Sequence, residues 1–225
     1  MIYDGEGRVV TRIDARGIPE TSFYDGRGRR LRTTDRINGT TVFTYDPVGN
    51  LKTITDADGG ITTYVYDARN LLTSETFPGP TGGTRVYTYD PGRRLSTRKD
   101  QTLAITTYLF DKANHLTTRK YPDAKNDTFT YDAAGRLTKA FSARYGSTVN
   151  RTHDKANRVL TEKLTLGTET WTVTGAYDTV GRLTKLTLPD GTVQDRAYSL
   201  RGELTSAKLA KANIATRTYT DGGRL

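Results

Sequence analysis

Cysteine is absent from this 225-residue chain. That excludes disulfides, thiolate nucleophiles and zinc–thiolate sites. There are two histidines, one tryptophan and one methionine. Hydrophobic residues make up 34%, against about 45–50% in ordinary globular domains on a similar residue set. A thick two-layer core needs more than this, so an elongated sheet with a thin apolar seam fits better. Disorder is the competing explanation of low hydrophobicity, and Tyr, Leu and Val recurring at strand spacing argue against it. No run approaches the roughly 18 apolar residues of a membrane-spanning helix. No basic-then-apolar leader opens the chain. Gly-x-Ser-x-Gly, phosphate-loop and His-Glu-x-x-His motifs are missing, and the expectation is that the chain is not an enzyme and binds no cofactor.

What is present is a repeat. A module of the form Tyr-Asp-x-x-Gly-Arg-Leu begins at Tyr3, Tyr24, Tyr45, Tyr66, Tyr89, Phe110, Tyr131, His153, Tyr177, Tyr198 and Tyr219. Successive starts differ by 21, 21, 21, 23, 21, 21, 22, 24, 21 and 21 residues. A fixed period of this size marks a repeat architecture. The residues carrying it are Tyr3, Asp4 and Gly7; Tyr24, Asp25 and Gly28; Tyr45, Asp46 and Gly49; Tyr66, Asp67 and Asn70; Tyr89 and Asp90; Tyr131, Asp132 and Gly135; and Tyr177, Asp178 and Gly181.

Asp, two variable residues and Gly suit a type I turn followed by a residue at positive φ, which forms a bulge matched to strand twist. The fourth place holds Gly, or Asn at Asn70, Asn114 and Asn157, the residue types that tolerate a left-handed backbone. Arg93 departs from this. Its turn, Asp90-Pro91-Gly92-Arg93, reads as type II. The flanks are β-branched and aromatic. Pairs two apart, such as Phe43/Tyr45, Tyr64/Tyr66, Tyr87/Tyr89, Tyr108/Phe110 and Phe129/Tyr131, share one face of a strand.

A second, looser reversal closes each unit, at Asp14-Ala15-Arg16-Gly17, Asn38-Gly39, Asp56-Ala57-Asp58-Gly59-Gly60, Pro78-Gly79-Pro80, Pro122-Asp123 and Pro189-Asp190-Gly191. The extra residues of the longer units belong in turns, around Pro78–Gly83 and Ala143–Gly146. Arg29-Arg30-Leu31 carries one Arg too many and predicts a slip in register. Leu204–Ala215, rich in Ala and Lys, is read as strands because the next Tyr arrives on schedule.

A tight turn joins antiparallel neighbours, whereas parallel strands need a longer crossover. This selects hairpins over a parallel β-helix of similar period. The expectation is about twenty strands of seven or eight residues, in one array over residues 1–225. Because both ends fall inside a module, the chain reads as a segment of a longer array.

The succession of these modules resembles the YD repeats of the rearrangement-hotspot (RHS) family, which includes bacterial polymorphic toxins, C-type subunits of insecticidal toxin complexes and teneurins. The resemblance runs from Tyr3 to Leu225, is sharpest at Tyr45–Leu51 and Tyr131–Leu137, and weakens where Tyr198-Ser199 and Tyr219-Thr220 lack the Asp. It implies an all-β fold, an antiparallel β-hairpin solenoid of about 10–11 repeats forming the wall of a hollow shell. It also implies a secreted or surface-delivered protein whose shell encloses a C-terminal toxin domain. The family's Asp-Pro-x-Gly-Leu core motif and its self-cleavage aspartates are not in this sequence.

The net charge of +9 fits a polyanion partner. It is better accounted for by the recurrence of Arg at the sixth module place, at Arg8, Arg29, Arg94, Arg136, Arg158, Arg182 and Arg224, where Arg can cover a turn or lie over a Tyr face. A binding module for glycans or anionic polymers, using Tyr, Arg and Trp171, is the alternative to a wall. Nucleic acid is not the expected partner. His115 and His153 occupy the Arg and Tyr places, so both read as substitutions within the pattern. Equivalent Asp residues one repeat apart would lie ~9–10 Å from each other, twice the strand spacing, too far to share one ion. Asp56-Ala57-Asp58-Gly59-Gly60 is the one local cluster to weigh as a metal site, against an acidic turn.

Overall fold

The computed structural model describes residues 1–209 and 212–218. The module at Tyr219, with Gly223 and Arg224, lies outside them. Among the described residues there are twenty-one strands and no helix. Two compact units divide the chain at Thr107 and Tyr108.

The first unit holds β1 (Ile2–Tyr3), β2 (Val9–Ile13), β3 (Pro19–Tyr24), β4 (Arg30–Thr34), β5 (Thr40–Tyr45), β6 (Leu51–Thr55), β7 (Ile61–Tyr66), β8 (Leu72–Thr76), β9 (Thr84–Tyr89), β10 (Leu95–Lys99) and the start of β11 (Ile105–Phe110). Each strand pairs antiparallel with the next. The second unit continues with β12 (Leu116–Lys120), β13 (Asp127–Tyr131), β14 (Leu137–Ser142), β15 (Ser147–His153), β16 (Val159–Leu166), β17 (Glu169–Tyr177), β18 (Leu183–Thr187), β19 (Val193–Tyr198), β20 (Leu204–Leu209) and β21 (Ala212–Thr216). From β12 onward each strand again pairs antiparallel with its successor. The Ala/Lys-rich stretch is therefore strand in its described part.

Most strands have five or six residues, shorter than the seven or eight expected, because turns at both ends consume the repeat. Cross-strand partners such as Phe43 and Ile54, or Thr44 and Thr53, separate the faces. One face carries the paired aromatics. The other is rich in Thr, with Thr44 and Thr53 hydroxyls 2.6 Å apart and those of Thr152 and Thr161 2.7 Å apart. Within each unit, no strand among the described residues packs as a second layer on either face. Among the described residues only Thr106, Gly175 and Ala207 are buried. Stability must come from the ladder and from contacts between neighbouring strands, as the low apolar content implied.

Five expectations are corrected. The second reversals are as tight as the first. Asp14, Asp35, Asp56 and Asp100 each donate their N–H to the carbonyl four residues on, at 2.8–3.1 Å. The Arg93 turn is not type II, since Arg93 itself takes φ 66° while Gly92 stays out of the left-handed region. Hairpin twist demands a left-handed residue at the fourth place, and Arg93 accepts that strain while its Nη2 donates to Arg69 O at 2.7 Å. Register does not slip at Arg29-Arg30-Leu31. Tyr24 faces Arg30 as Tyr45 faces Leu51, so Arg30 takes the Leu place and Leu31 is left 40% exposed. The fourth correction is the strand length already given. The insertion at Pro78–Gly83 does sit in its loop, closed by Phe77 N–H to Gly83 O at 3.0 Å. The fifth correction is at Ala143–Gly146, where the extra residue of the unit goes into β14 and β15, paired from Ser142 and Ser147 inward, and the connection is no longer than in other repeats.

Candidate functional site

The chemistry of the chain is concentrated along the row of module turns. Within a turn, Asp is the organising group. Asp132 Oδ1 accepts the N–H of Ala134 at 2.9 Å and of Arg136 at 3.0 Å. Its own N–H donates to Arg136 O at 3.0 Å, and Gly135 N–H donates to Asp132 O at 2.9 Å. Asp4, Asp25, Asp67 and Asp178 repeat the carboxylate contacts at 2.9–3.1 Å. Asp46 instead takes Gly49 N–H and Asn50 N–H, each at 2.7 Å, and Asp90 takes Arg94 N–H at 2.9 Å. The fourth place is left-handed throughout. Gly7, Gly28, Gly49, Gly135 and Gly181 have φ between 78° and 104°, and Asn70 has φ 61°. A register shift accompanies nine of the module turns, for example between Thr44 and Tyr45, which is the bulge the turn requires.

The other carboxylate oxygen holds the sixth-place Arg. Nε of Arg8, Arg94, Arg136, Arg158 and Arg182 sits 2.6–2.7 Å from Oδ2 of its Asp. Hydrogen bonds from the Arg8 N–H, and then from its side chain, hold the Asp4 carboxyl below the ordinary range against a desolvation that opposes them. The same causes lower Asp25 and Asp132. Both oxygens of these carboxylates are occupied.

Arg8, Arg29, Arg136, Arg158 and Arg182 then latch their turns to the following ones. The guanidinium of Arg8 lies 5.0 Å from the ring centre of Tyr24, Arg29 4.5 Å from Tyr45, Arg158 4.8 Å from Tyr177 and Arg182 4.9 Å from Tyr198. Nη1 of Arg136 donates to Asp154 O at 2.6 Å, Arg158 to Asp178 O at 3.0 Å and Arg182 to Ser199 O at 2.9 Å. In return the Tyr hydroxyl reaches back to the seventh place of the preceding module. Tyr24 donates to Val9 O at 3.1 Å, Tyr45 to Arg30 O at 2.8 Å, Tyr89 to Leu72 O at 2.9 Å, Tyr131 to Leu116 O at 3.0 Å, Tyr177 to Val159 O at 2.9 Å and Tyr198 to Leu183 O at 2.9 Å. Tyr3 opens the first module and is 55% exposed. Burial raises the Tyr66 and Tyr89 hydroxyls above their usual pKa, so they remain donors at neutral pH.

Asn50, Leu71, His115 and Glu203 stand at the sixth place in four modules, and two of these keep a contact with the next turn. Asn50 replaces Arg and bridges Asp46 Oδ2 at 2.9 Å to Asn70 Oδ1 at 3.0 Å. Beside it is an open cleft of about 400 Å³ lined by Asp46, Asn50, Lys52, Tyr64 and Tyr66. His115 replaces Arg in the sixth module. Its Nδ1 lies 3.0 Å from Asp111 Oδ2 and its ring stacks on Tyr131 at 4.6 Å. The other histidine, His153, stands in the Tyr place with Nδ1 buried and unpartnered.

Sequence reasoning placed Arg near Tyr but missed that it binds the next module's carbonyl, because those partners lie 17 to 20 residues apart. It also missed the turn at Asp100, which ends in Leu103 at φ 69° rather than Gly. A signal was available. Asp4, Asp14, Asp25, Asp35, Asp46, Asp56 and Asp67 alternate at spacings of 10 and 11, which marks both turns of each repeat. In the acidic cluster, Asp56 Oδ1 accepts from Asp58 N–H at 3.0 Å and Gly60 N–H at 2.7 Å. Among the described residues no group of three or more His, Asp or Glu is arranged to hold a metal ion, and no helix is long and apolar enough to cross a membrane.

Comparison with known proteins agrees with this geometry. Residues 24–61, 45–81 and 110–140 match the family model described as RHS Repeat. The crystal structure of TcdB2-TccC3-Cdc42 aligns with 99% of this chain and 17% of its own, at 14% identity and TM-score 0.54. That of TcdB2-TccC3 covers 99% and 17%, at 14% identity and 0.53. The Photorhabdus luminescens Tc holotoxin pore covers 97% and 15%, at 15% identity and 0.54. At such identities the likeness is one of fold. The chain spans less than a fifth of each of these proteins. No curated protein matches the sequence.

Proposed function

This chain is built of RHS/YD repeats, and from that premise we propose that it serves as one continuous section of shell wall, within a larger secreted or surface-delivered protein that encloses a C-terminal effector domain. The observation that carries the reading is the latch. Tyr and Arg of successive modules bind each other's backbone within each unit, while the sheet buries almost nothing on either face. Side chains that could do chemistry are spent on joining repeats, so the segment is read as non-catalytic, with no cofactor. The shell-forming toxins whose fold it shares supply the context, and the cargo is the proposal's own step.

The alternative, a glycan- or polyanion-binding surface made of the sixth-place arginines, loses support because those guanidinium groups are committed to Asp, Tyr and backbone carbonyls. The test is protection. Expressed with its flanking sequence, the array should shield a downstream domain from a protease that digests the same domain alone. Equal digestion rates would remove the wall reading. Salt-dependent retention on heparin, lost in an Arg136/Arg182 double substitution, would favour the alternative.

A further inference from the structure

The longest repeat, 24 residues from His153 to Tyr177, does not put its extra residues into a loop. Gly167 and Thr168 alone separate β16 from β17, and the two strands are eight and nine residues long. The neighbouring β18 has five. It pairs with β17 only from Thr174 to Tyr177 before turning away at Leu188–Gly191, where Gly191 N–H donates to Leu188 O at 2.9 Å. On the other side, β17 pairs with β16 along its outer part, from Glu169 to Thr174. The segment Glu169–Val173 is therefore a strand edge open on one side in the middle of the second unit, about 16 Å long at ~3.3 Å per residue.

Which backbone groups it offers follows from alternation. The Ala176 carbonyl faces β18, where Thr184 Oγ1 donates to it at 3.1 Å. Counting back by twos, Thr172 and Thr170 turn their N–H and C=O groups to the same side, and among the described residues no strand stands there to receive them. Register assigns the side chains. Trp171 pairs with Leu164 and Glu169 with Leu166 on the aromatic face, while Thr172 pairs with Lys163 and Thr170 with Thr165 on the Thr face. Trp171, Leu164 and Leu166 are 40%, 39% and 46% exposed. Beside them, Gly175 stands where Phe129 and Tyr108 carry rings in other repeats. An open cleft of about 490 Å³ lies here, lined by Val159, Val173, Gly175, Leu183 and Leu186 together with the paired Arg151 and Glu162. Lys163 and Lys185, on the Thr face of β16 and β18, are exposed, and neither takes part in any ion pair among the described residues.

We propose that Glu169–Val173 is a strand-addition site for an extended peptide of another chain, one that alternates apolar and acidic residues. The backbone of such a peptide would satisfy Thr170 and Thr172. Its apolar side chains would cover Trp171 and reach the Gly175 cleft. Its carboxylates would meet Lys163 and Lys185 on a chain of net charge +9. A second copy fits poorly, because pairing two such edges about Trp171 brings the partner's Leu188–Gly191 turn against the Gly167–Thr168 tip. The site goes beyond the wall reading and does not depend on it.

The chain's single tryptophan reports on this edge directly. The whole chain is titrated with an eight-residue peptide of alternating Val and Glu, followed by Trp171 emission. A saturable blue shift is expected. A twin peptide N-methylated at every second residue, lacking the donors of one edge, should bind at least ten-fold more weakly, and so should a Val/Lys peptide. Thr172→Pro removes an outward N–H and should weaken binding by the same order without lowering the melting temperature. Should that variant fold poorly, the N-methylated peptide on the unaltered chain carries the same comparison. No saturable shift, equal binding of the N-methylated twin, or a blue shift driven by protein concentration alone would each overturn the proposal, the last by showing that copies of the chain occupy the edge.

Discussion

Replacing Gly135 by Ala tests the turn and the latch together. Gly135 holds φ +78°, and a Cβ there would lie 2.8 Å from His115 Nε2. The left-handed backbone costs an ordinary residue about 1–2 kcal/mol. The overlap must push the His115 ring off Tyr131, against which it stacks at 4.6 Å, forfeiting about 0.5–1.5 kcal/mol. The sum is about 2–3 kcal/mol, or a fall of about 4–12 °C in melting temperature for a chain of this size. Gly17→Ala is the control, because Gly17 has φ +82° with nothing within 4 Å of its Cβ, and only the backbone cost applies there. Gly135→Asn separates the terms in the other direction. Asn is at ease at positive φ, as Asn114 and Asn157 are at 70° and 65°, but its Cβ still meets His115. Thermal unfolding of the three variants, with and without His115→Ala, reads the result. Removing His115 should bring Gly135→Ala level with Gly17→Ala. If Gly135→Ala costs no more than Gly17→Ala with His115 present, the latch reasoning fails at this repeat.

Three further outcomes are expected. Tyr131→Phe deletes the hydroxyl that reaches Leu116 O at 3.0 Å and should cost about 1 kcal/mol in denaturant melts, whereas no change would mean the back-latch is idle. Leu103→Gly relieves a left-handed Leu at φ 69° and should stabilise by about 1 kcal/mol, and a loss would show that the Leu side chain holds its loop. Asp4, Asp25 and Asp132 have lowered folded-state pKa values, so the native state binds fewer protons than the unfolded one. Their contribution is complete above the ordinary Asp value of about 3.9 and is lost as pH falls below it. The melting temperature should stay level from pH 7 to 5, then drop below about pH 4, less steeply in Asp132→Asn. A flat profile down to pH 2.5 would contradict the turn electrostatics.

Local stereochemistry is what made this fold readable in sequence. Asp followed three residues later by Gly or Asn states a turn, and aromatics two apart state a face. Both signals act within seven residues, so antiparallel hairpins and their approximate number could be read directly. Where the signal was indirect, the reading slipped. Leu103 and Arg93 hold left-handed positions that their residue types do not advertise, because the hairpin around them fixes the backbone. Arg30 looked like an insertion, yet it faces Tyr24 as Leu51 faces Tyr45, so the turn and its bulge are unchanged. The Arg-to-carbonyl latch spans neighbouring repeats and leaves no local trace. The open edge at Glu169–Val173 arises from a difference in strand length between β17 and β18, which a repeat count records only as an interval of 24.

The account rests on chain reversal at each module turn, and a cross-link reads that reversal most directly. Val149 and Leu164 face each other across the Asp154–Asn157 turn, while Lys163 lies on the opposite face beside Asn150. In a chain with no native cysteine, Val149→Cys/Leu164→Cys should oxidise within the monomer, and Val149→Cys/Lys163→Cys should not. Equal oxidation of the two pairs, or reaction only between monomers, would contradict the antiparallel register from which everything else follows.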